Sequence, residues 1–362
     1  MKRILSLVFA AVMLFSLLAA CSGTGKTEPP KTAETVTMTD SAGREVTVPA
    51  EVTRVAPSGT VATMFLASVC PDYLVCIGSA NSDAQAAYLP QALSSLPVTG
   101  QLYGGKSTIN LEALLAAKPQ IIIDLGDYKK GMEEDLNALQ EQVGIPVVFI
   151  QADLEHMAQG FRMLGTLLFN KKERCENLAA YVEETLRLAA ENRDKIAEDD
   201  RLRVMYTSGA SGLGTNAEGS SQAQVIPLVG ASNAIVVEDV TSKGGGNVIN
   251  MEQLYTFDPD VILFTADSIY ADAAEDPAWQ KLRAVQEGLY YEIPDLPYNW
   301  MSSPPSLNML LGIRWLGNLL YPEIYDYDMA AEARRAYKLL WNYDLTVEES
   351  EEMLARSTGK RG

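Results

Sequence analysis

The sequence predicts an α/β protein of two lobes with parallel-type central sheets, joined by one long backbone helix. Three observations carry that prediction. One unit of sequence occurs twice, 140 residues apart. Around each copy, short apolar runs alternate with amphipathic helical segments, the pattern of layered α/β domains. Between the copies, a helical pattern runs from Lys172 to about Ile196 without a Gly or Pro.

The repeated unit reads INLEALLAAKPQIIIDLGD from Ile109 to Asp127 and INMEQLYTFDPDVILFTAD from Ile249 to Asp267. The two align without a gap and share Ile, Asn, Glu, Leu, Pro, Ile and Asp at equivalent places. Asn110 and Asn250 are suited to cap a helix, and Glu112 and Glu252 fall in its first turn, where the helix dipole favours an acid. Leu111, Leu114 and Leu115 form a core-facing stripe. The proline ends the helix, and the apolar runs QIIID and DVILF read as parallel strands buried on both faces.

Taken in chain order, residues 1–20 read as an export signal. Lys2 and Arg3 precede an apolar run from Ile4 to Ala20 that is too short for a typical membrane span of about 20 residues. Leu18-Ala19-Ala20-Cys21 resembles the lipobox of bacterial lipoproteins, which implies a lipid on Cys21 and a place on the extracytoplasmic face of the cell membrane. Residues 21–50 are a polar tether, rich in Gly, Thr, Lys and Pro at first, and an N-terminal arm. Residues 51–170 form the first lobe, with strands at VTRVA, YLVCIG, QIIID and PVVFI and helices at TVATMFLAS and GMEEDLNALQEQ.

The connector occupies residues 171–200, its face marked by Leu178, Val182, Leu186 and Ala189. About 25 residues make a rod of roughly 37 Å, enough to span the backs of two lobes and to limit their closure. Residues 201–326 form the second lobe, with strands at RVMYT, DVILF and LYYEI, and 327–362 a tail with two short helices.

Charge and composition exclude several functions. The formal net charge is −18, and −20 without Lys2 and Arg3. Nucleic-acid affinity comes from Lys and Arg neutralising phosphates, so no nucleic-acid partner is expected. Cys70, Cys76 and Cys175 match no zinc spacing. Cys70 and Cys76 flank PDYLV as small buried thiols, a disulfide between them being the alternative. His156 is the one histidine, and a lone imidazole makes a poor metal site. No metal centre, cofactor or catalytic constellation is expected. GQLYGGKS, from Gly100 to Ser107, fits the P-loop pattern letter for letter. Its counterpart before the second unit, SKGGGN, keeps the glycines and loses the motif. A P-loop also enters its helix through the Lys and Ser, whereas the cap here is Asn110.

As a constellation, the lipobox, the twin [IV]-N-[LM]-E-x-L-x4-P units, the long helix and the segment from Asp276 to Tyr325 resemble the substrate-binding lipoproteins of ABC importers for iron-siderophores, haem and cobalamin, the helical-backbone class. That resemblance covers Val52 to about Tyr325. It implies a ligand in a shallow inter-lobe cleft at the carboxyl ends of the strands. It also implies that Glu112 and Glu252 dock on arginines of a dimeric permease served by a cytoplasmic ATPase, charge complementarity fixing orientation. The cargo expected first is a ferric siderophore or related metal chelate, then haem or cobalamin, then an oxyanion such as molybdate.

The strand-end loops supply the candidate contacts. Tyr103, Tyr128, Tyr206, Tyr298 and Trp300 would give flat, polar-tipped surface for a planar chelate. Lys106 and Lys129 would meet an anion, with Lys130 and Lys243 in the same role. Asn216 and Ser303 would add hydrogen bonds. Trp279 and Trp315 lie in helical patterns and read as core.

Overall fold

The computed structural model describes residues 34–103, 108–242 and 246–357. From Thr35 onward the described residues form one compact unit. It is a two-lobe α/β fold.

The arm opens as an antiparallel hairpin, β1 (Thr35–Thr39) and β2 (Glu45–Pro49). Its turn is pinned by buried Asp40, which pairs with Arg44 at 2.6 Å and accepts from the Phe149 amide at 3.2 Å. Val46 and Val48 point into the core, so the alternation of β2 fastens the arm to the first lobe.

The first lobe holds a parallel sheet, β3 (Val55–Pro57), β4 (Ile121–Gly126) and β5 (Val147–Gln151), in that order. Helix α1 (Thr60–Val69) follows β3, α2 (Leu111–Ala116) precedes β4, and α3 (Met132–Val143) joins β4 to β5. The YLVCIG run makes single bridges rather than a ladder strand. Its backbone bonds Val55 through Tyr73 and Val75, then turns to Pro97 and Thr99 at Ile77, so neither neighbour is followed for long.

After α4 (Met157–Leu167), the connector α5 spans Lys172–Arg193. Leu178, Val182 and Ala189 are buried along it, and Leu186 is half-buried. The second lobe is built on β6 (Arg203–Ser208), parallel to β10 (Val261–Phe264), which is parallel to β11 (Tyr290–Glu292). The short strands β7 (Gly214–Thr215), β8 (Ser232–Asn233) and β9 (Asn247–Val248) complete its sheet, and α6 (Met251–Phe257) precedes β10.

The repeat is structural. Asn110 accepts from the Ala113 amide at 3.1 Å, and Asn250 from the Gln253 amide at 2.9 Å. Both helices end in a left-handed residue just before the proline, Lys118 at φ 52° and Asp258 at φ 40°. Proline disfavours a helical residue before it, so each copy breaks the helix in the same way.

The tail is part of the body. Helices α7 (Met309–Leu320), α8 (Met329–Trp341) and α9 (Val347–Leu354) close the second lobe. Tyr337 donates to the Leu296 carbonyl and stacks edge-on against Trp341 at 4.7 Å and Tyr88 at 5.8 Å, which ties the tail to the first lobe as well. Trp279 and Trp315 are buried. Cys70, Cys76 and Cys175 are free, buried thiols.

Candidate functional site

A cavity of about 330 Å³ opens between the two lobes. The first lobe supplies the ends of its strands: Ser58 and Gly59 just after β3, Asp124 to Gly126 at the end of β4, then Asp127 and Lys129. The second lobe faces them with Ser221, Gln222, Ser242 and Pro305, and Gln101 and Tyr103 line the side.

Helix α1 starts in this wall. Its N-cap is Gly59, no side chain caps it, and no acid occupies its first turn. Thr60, Val61 and Ala62 line the cavity, so the positive end of the helix dipole faces the space. Close packing requires the bare backbone there: a Cβ on Gly78 would lie 2.3 Å from the Gly59 carbonyl carbon. Such an end attracts oxygen-rich anions.

Asp124 is the buried charge of the site, 5% exposed. The Ser58 hydroxyl donates to its Oδ1. Burial pushes its carboxyl above the usual range, opposed by that hydrogen bond and by the charges of Lys129 and Arg44. Burial raises Asp127 as well. Lys129 Nζ sits 4.9 Å from the centre of the Tyr103 ring and donates to the Asp127 carbonyl at 3.1 Å. Burial, with the nearby charges of Asp135 and Asp124, drives the Tyr103 phenol upward, so it stays protonated.

A family model described as periplasmic binding protein matches residues 58–296, most of both lobes and all of the connector. The chain belongs to the periplasmic binding protein family. No curated protein sequence matches it. Among solved structures it is similar to an ABC transporter solute-binding protein from Sulfurospirillum deleyianum, with 26% identity, a TM-score of 0.80, and coverage of 88% of this chain and 99% of that one. A periplasmic solute-binding protein from Veillonella parvula follows at 24%, TM-score 0.72, covering 90% and 98%. The molybdate-bound periplasmic protein MolA of Haemophilus influenzae shares the fold at 21% identity, TM-score 0.69, covering 86% and 99%. The protein is thus a solute-binding component of ABC transport, a carrier for a transporter and not an enzyme, and it holds a ligand rather than a cofactor. Among the described residues no helix is long and apolar enough to cross a membrane.

The binding protein brings only part of the expected contact set to its cleft. Tyr103 and Lys129 line the cavity. Ser303 lies at its edge, its amide donating to Gln222 at 3.3 Å. Tyr128 is exposed, its hydroxyl donating to Glu133 at 2.6 Å rather than entering the cavity wall.

Tyr206, Asn216, Tyr298 and Trp300 are all buried in the second lobe, away from the cavity lining. Tyr206 is hydrogen-bonded within its lobe, 2.8 Å from Ser302 Oγ, and burial pushes its phenol up to about 12. Tyr298 packs on Trp341 at 6.4 Å, and Trp300 is fully enclosed. Lys106, Lys243 and Cys21 lie outside the described residues. Asp124, Gln101, Ser221, Gln222 and Ser242 are cavity residues that sequence reasoning missed. Asp124 alone had a visible mark, an acid closing the apolar run IIID.

Glu112 and Glu252 are both exposed, each in the first turn of its repeated helix.

Proposed function

We propose that this protein is a lipid-anchored, extracytoplasmic capture protein for an oxygen-rich anion, held by Cys21 at the membrane and docked on a two-fold ABC permease through Glu112 and Glu252. The supporting observation is the uncapped start of α1, which opens into the inter-lobe cavity beside Tyr103 and Lys129. An anionic oxygen seated there meets backbone N–H groups and the helix dipole.

The cavity, about 330 Å³, is at the small end of the range for ligand sites. A compact oxyanion fits it whole. A ferric siderophore would seat one anionic arm and lie over the rim beside Ser303. With Tyr206, Tyr298 and Trp300 buried, Tyr103 is the one aromatic of the expected set in the cavity lining, less flat surface than haem or cobalamin would use.

Isothermal calorimetry with molybdate, tungstate, sulfate, ferric siderophores, haem and cobalamin tests this reading. Saturable binding of an anionic member is expected, weakened at least tenfold by Lys129→Glu. Binding confined to a neutral or cationic ligand, or insensitive to Lys129→Glu, would overturn it.

A further inference from the structure

The cavity that greets an anion with a helix N-terminus also contains a buried acid. Asp124 ends the β4 run, is 5% exposed, and shares the cavity wall with Gly59, Thr60 and Val61. A sphere of about 330 Å³ is roughly 9 Å across, so a bound anion and an ionised, buried Asp124 repel at close range.

We propose, building on the anion-binding reading above, that one proton is held between Asp124 and the bound anion, so that the cleft takes up a proton with any ligand that brings none. Two acidic oxygens in one site share a proton because both cannot stay ionised, and they titrate as a pair. Among the described residues the neighbourhood does not supply a substitute charge in full. Arg44 is committed to Asp40 at 2.6 Å and to the Val147 carbonyl at 2.6 Å. Lys129 approaches from the loop after β4 and also serves Asp127, itself an acid of the cavity. The phenol of Tyr103 is protonated, and Ser58 offers one hydrogen bond, already made. From the second lobe, the lining residues Ser221, Gln222, Ser242 and Pro305 do not titrate. Burial already favours the protonated carboxyl, and an arriving anion favours it further.

The chemistry has a selective consequence. A fully deprotonated anion recruits its proton from solvent, and its affinity falls as pH rises, by about tenfold per unit once Asp124 is ionised in the empty cleft. An anion that carries its own O–H donates to the Asp124 carboxylate and escapes that loss. Asp124 thereby sets which protonation state of the ligand is held.

The test is calorimetry of the chain with molybdate, tungstate, sulfate and a ferric tris-catecholate, in pairs of buffers with different ionisation heats, from pH 5 to pH 9. One proton taken up per bound anion is expected toward the alkaline end, with a matching fall in affinity. Asp124→Asn should bind with no proton uptake and a flat pH profile. The wild-type proton count decides the matter even if that variant fails to fold. Saturable binding without uptake anywhere in the range overturns this inference and leaves the anion site standing. Failure of all four anions to bind overturns the anion reading itself, and this inference with it.

Discussion

Arg314, 2% exposed on α7, lies 3.3 Å from the Glu184 carboxylate on the connector helix. The same guanidinium reaches Glu332 on α8 at 3.1 Å, donates to Thr185 Oγ1 at 3.1 Å, and covers the Tyr181 ring at 5.0 Å. One buried cation therefore joins the connector, the second lobe and the tail. Removing it leaves two partly buried acids with only the more exposed Arg335 to hold them, 2.5 Å from Glu184 and 3.8 Å from Glu332. Arg314→Leu should cost about 3 kcal/mol, the typical result of breaking a buried pair from one side. The urea midpoint of unfolding reads this directly, and Glu332→Gln added to Arg314→Leu should recover part of the loss. A double variant no more stable than the single would contradict the account.

Gly312 sits inside α7, where an Ala ordinarily gains about 1 kcal/mol over Gly. Here the sign should invert. A Cβ at Gly312 would lie 2.1 Å from the Trp300 carbonyl oxygen, which belongs to the loop folded over the helix. Gly312→Ala should therefore destabilise by about 1–3 kcal/mol through overpacking. Denaturant unfolding checks it, and any stabilisation would show that the loop yields freely.

The fold was legible where the pattern is local and periodic. Asn110 and Asn250 cap their helices as their place before the apolar stripe implies, and Leu178, Val182 and Ala189 bury the face that the helical period marks. The left-handed residues Lys118 and Asp258 were not legible, because Lys does not favour that conformation, Asp takes it only now and then, and the following proline and the packing impose it. The site was legible only in part. Tyr206 and Trp300 stand at strand ends and in a loop, where cleft residues belong, yet a sequence position says nothing about which way a ring turns. Their rings turn inward because the Asn299–Ser302 loop folds over β6 and encloses them. Gln222 and Ser242 reach the cavity from aperiodic loops whose course is a tertiary property.

The three described cysteines give a chemical check on the core. Burial pushes Cys175 up to about 12, and raises Cys70 and Cys76 too. The thiolate is the reactive form, so these groups should be inert to a thiol reagent such as DTNB in the native protein at pH 8, and all should react in urea. The sign for stability follows. A folded-state pKa above the unfolded value of 9.0 leaves stability untouched below pH 9 and erodes it as pH rises toward 12. Rapid labelling of native protein would mean that the first lobe, at Cys70 or Cys76, or the connector, at Cys175, opens locally far more often than its packing allows.

Glu112 and Glu252 are exposed acids on twin asparagine-capped helices, 140 residues apart in sequence. As helix-end acids alone, each would stabilise by about 0.3–1 kcal/mol, so neutral replacement barely moves the unfolding midpoint. The proposed docking on a two-fold permease would give them a second role, in transport. Charge reversal separates the two roles. Glu112→Lys and Glu252→Lys together should abolish uptake in cells while calorimetric ligand affinity stays within about twofold of wild type, because neither acid lines the cavity and rim charges set orientation and encounter. Each single variant should give partial loss, reflecting one severed contact of two. Uptake at the wild-type rate in the double variant would assign both acids to helix capping only.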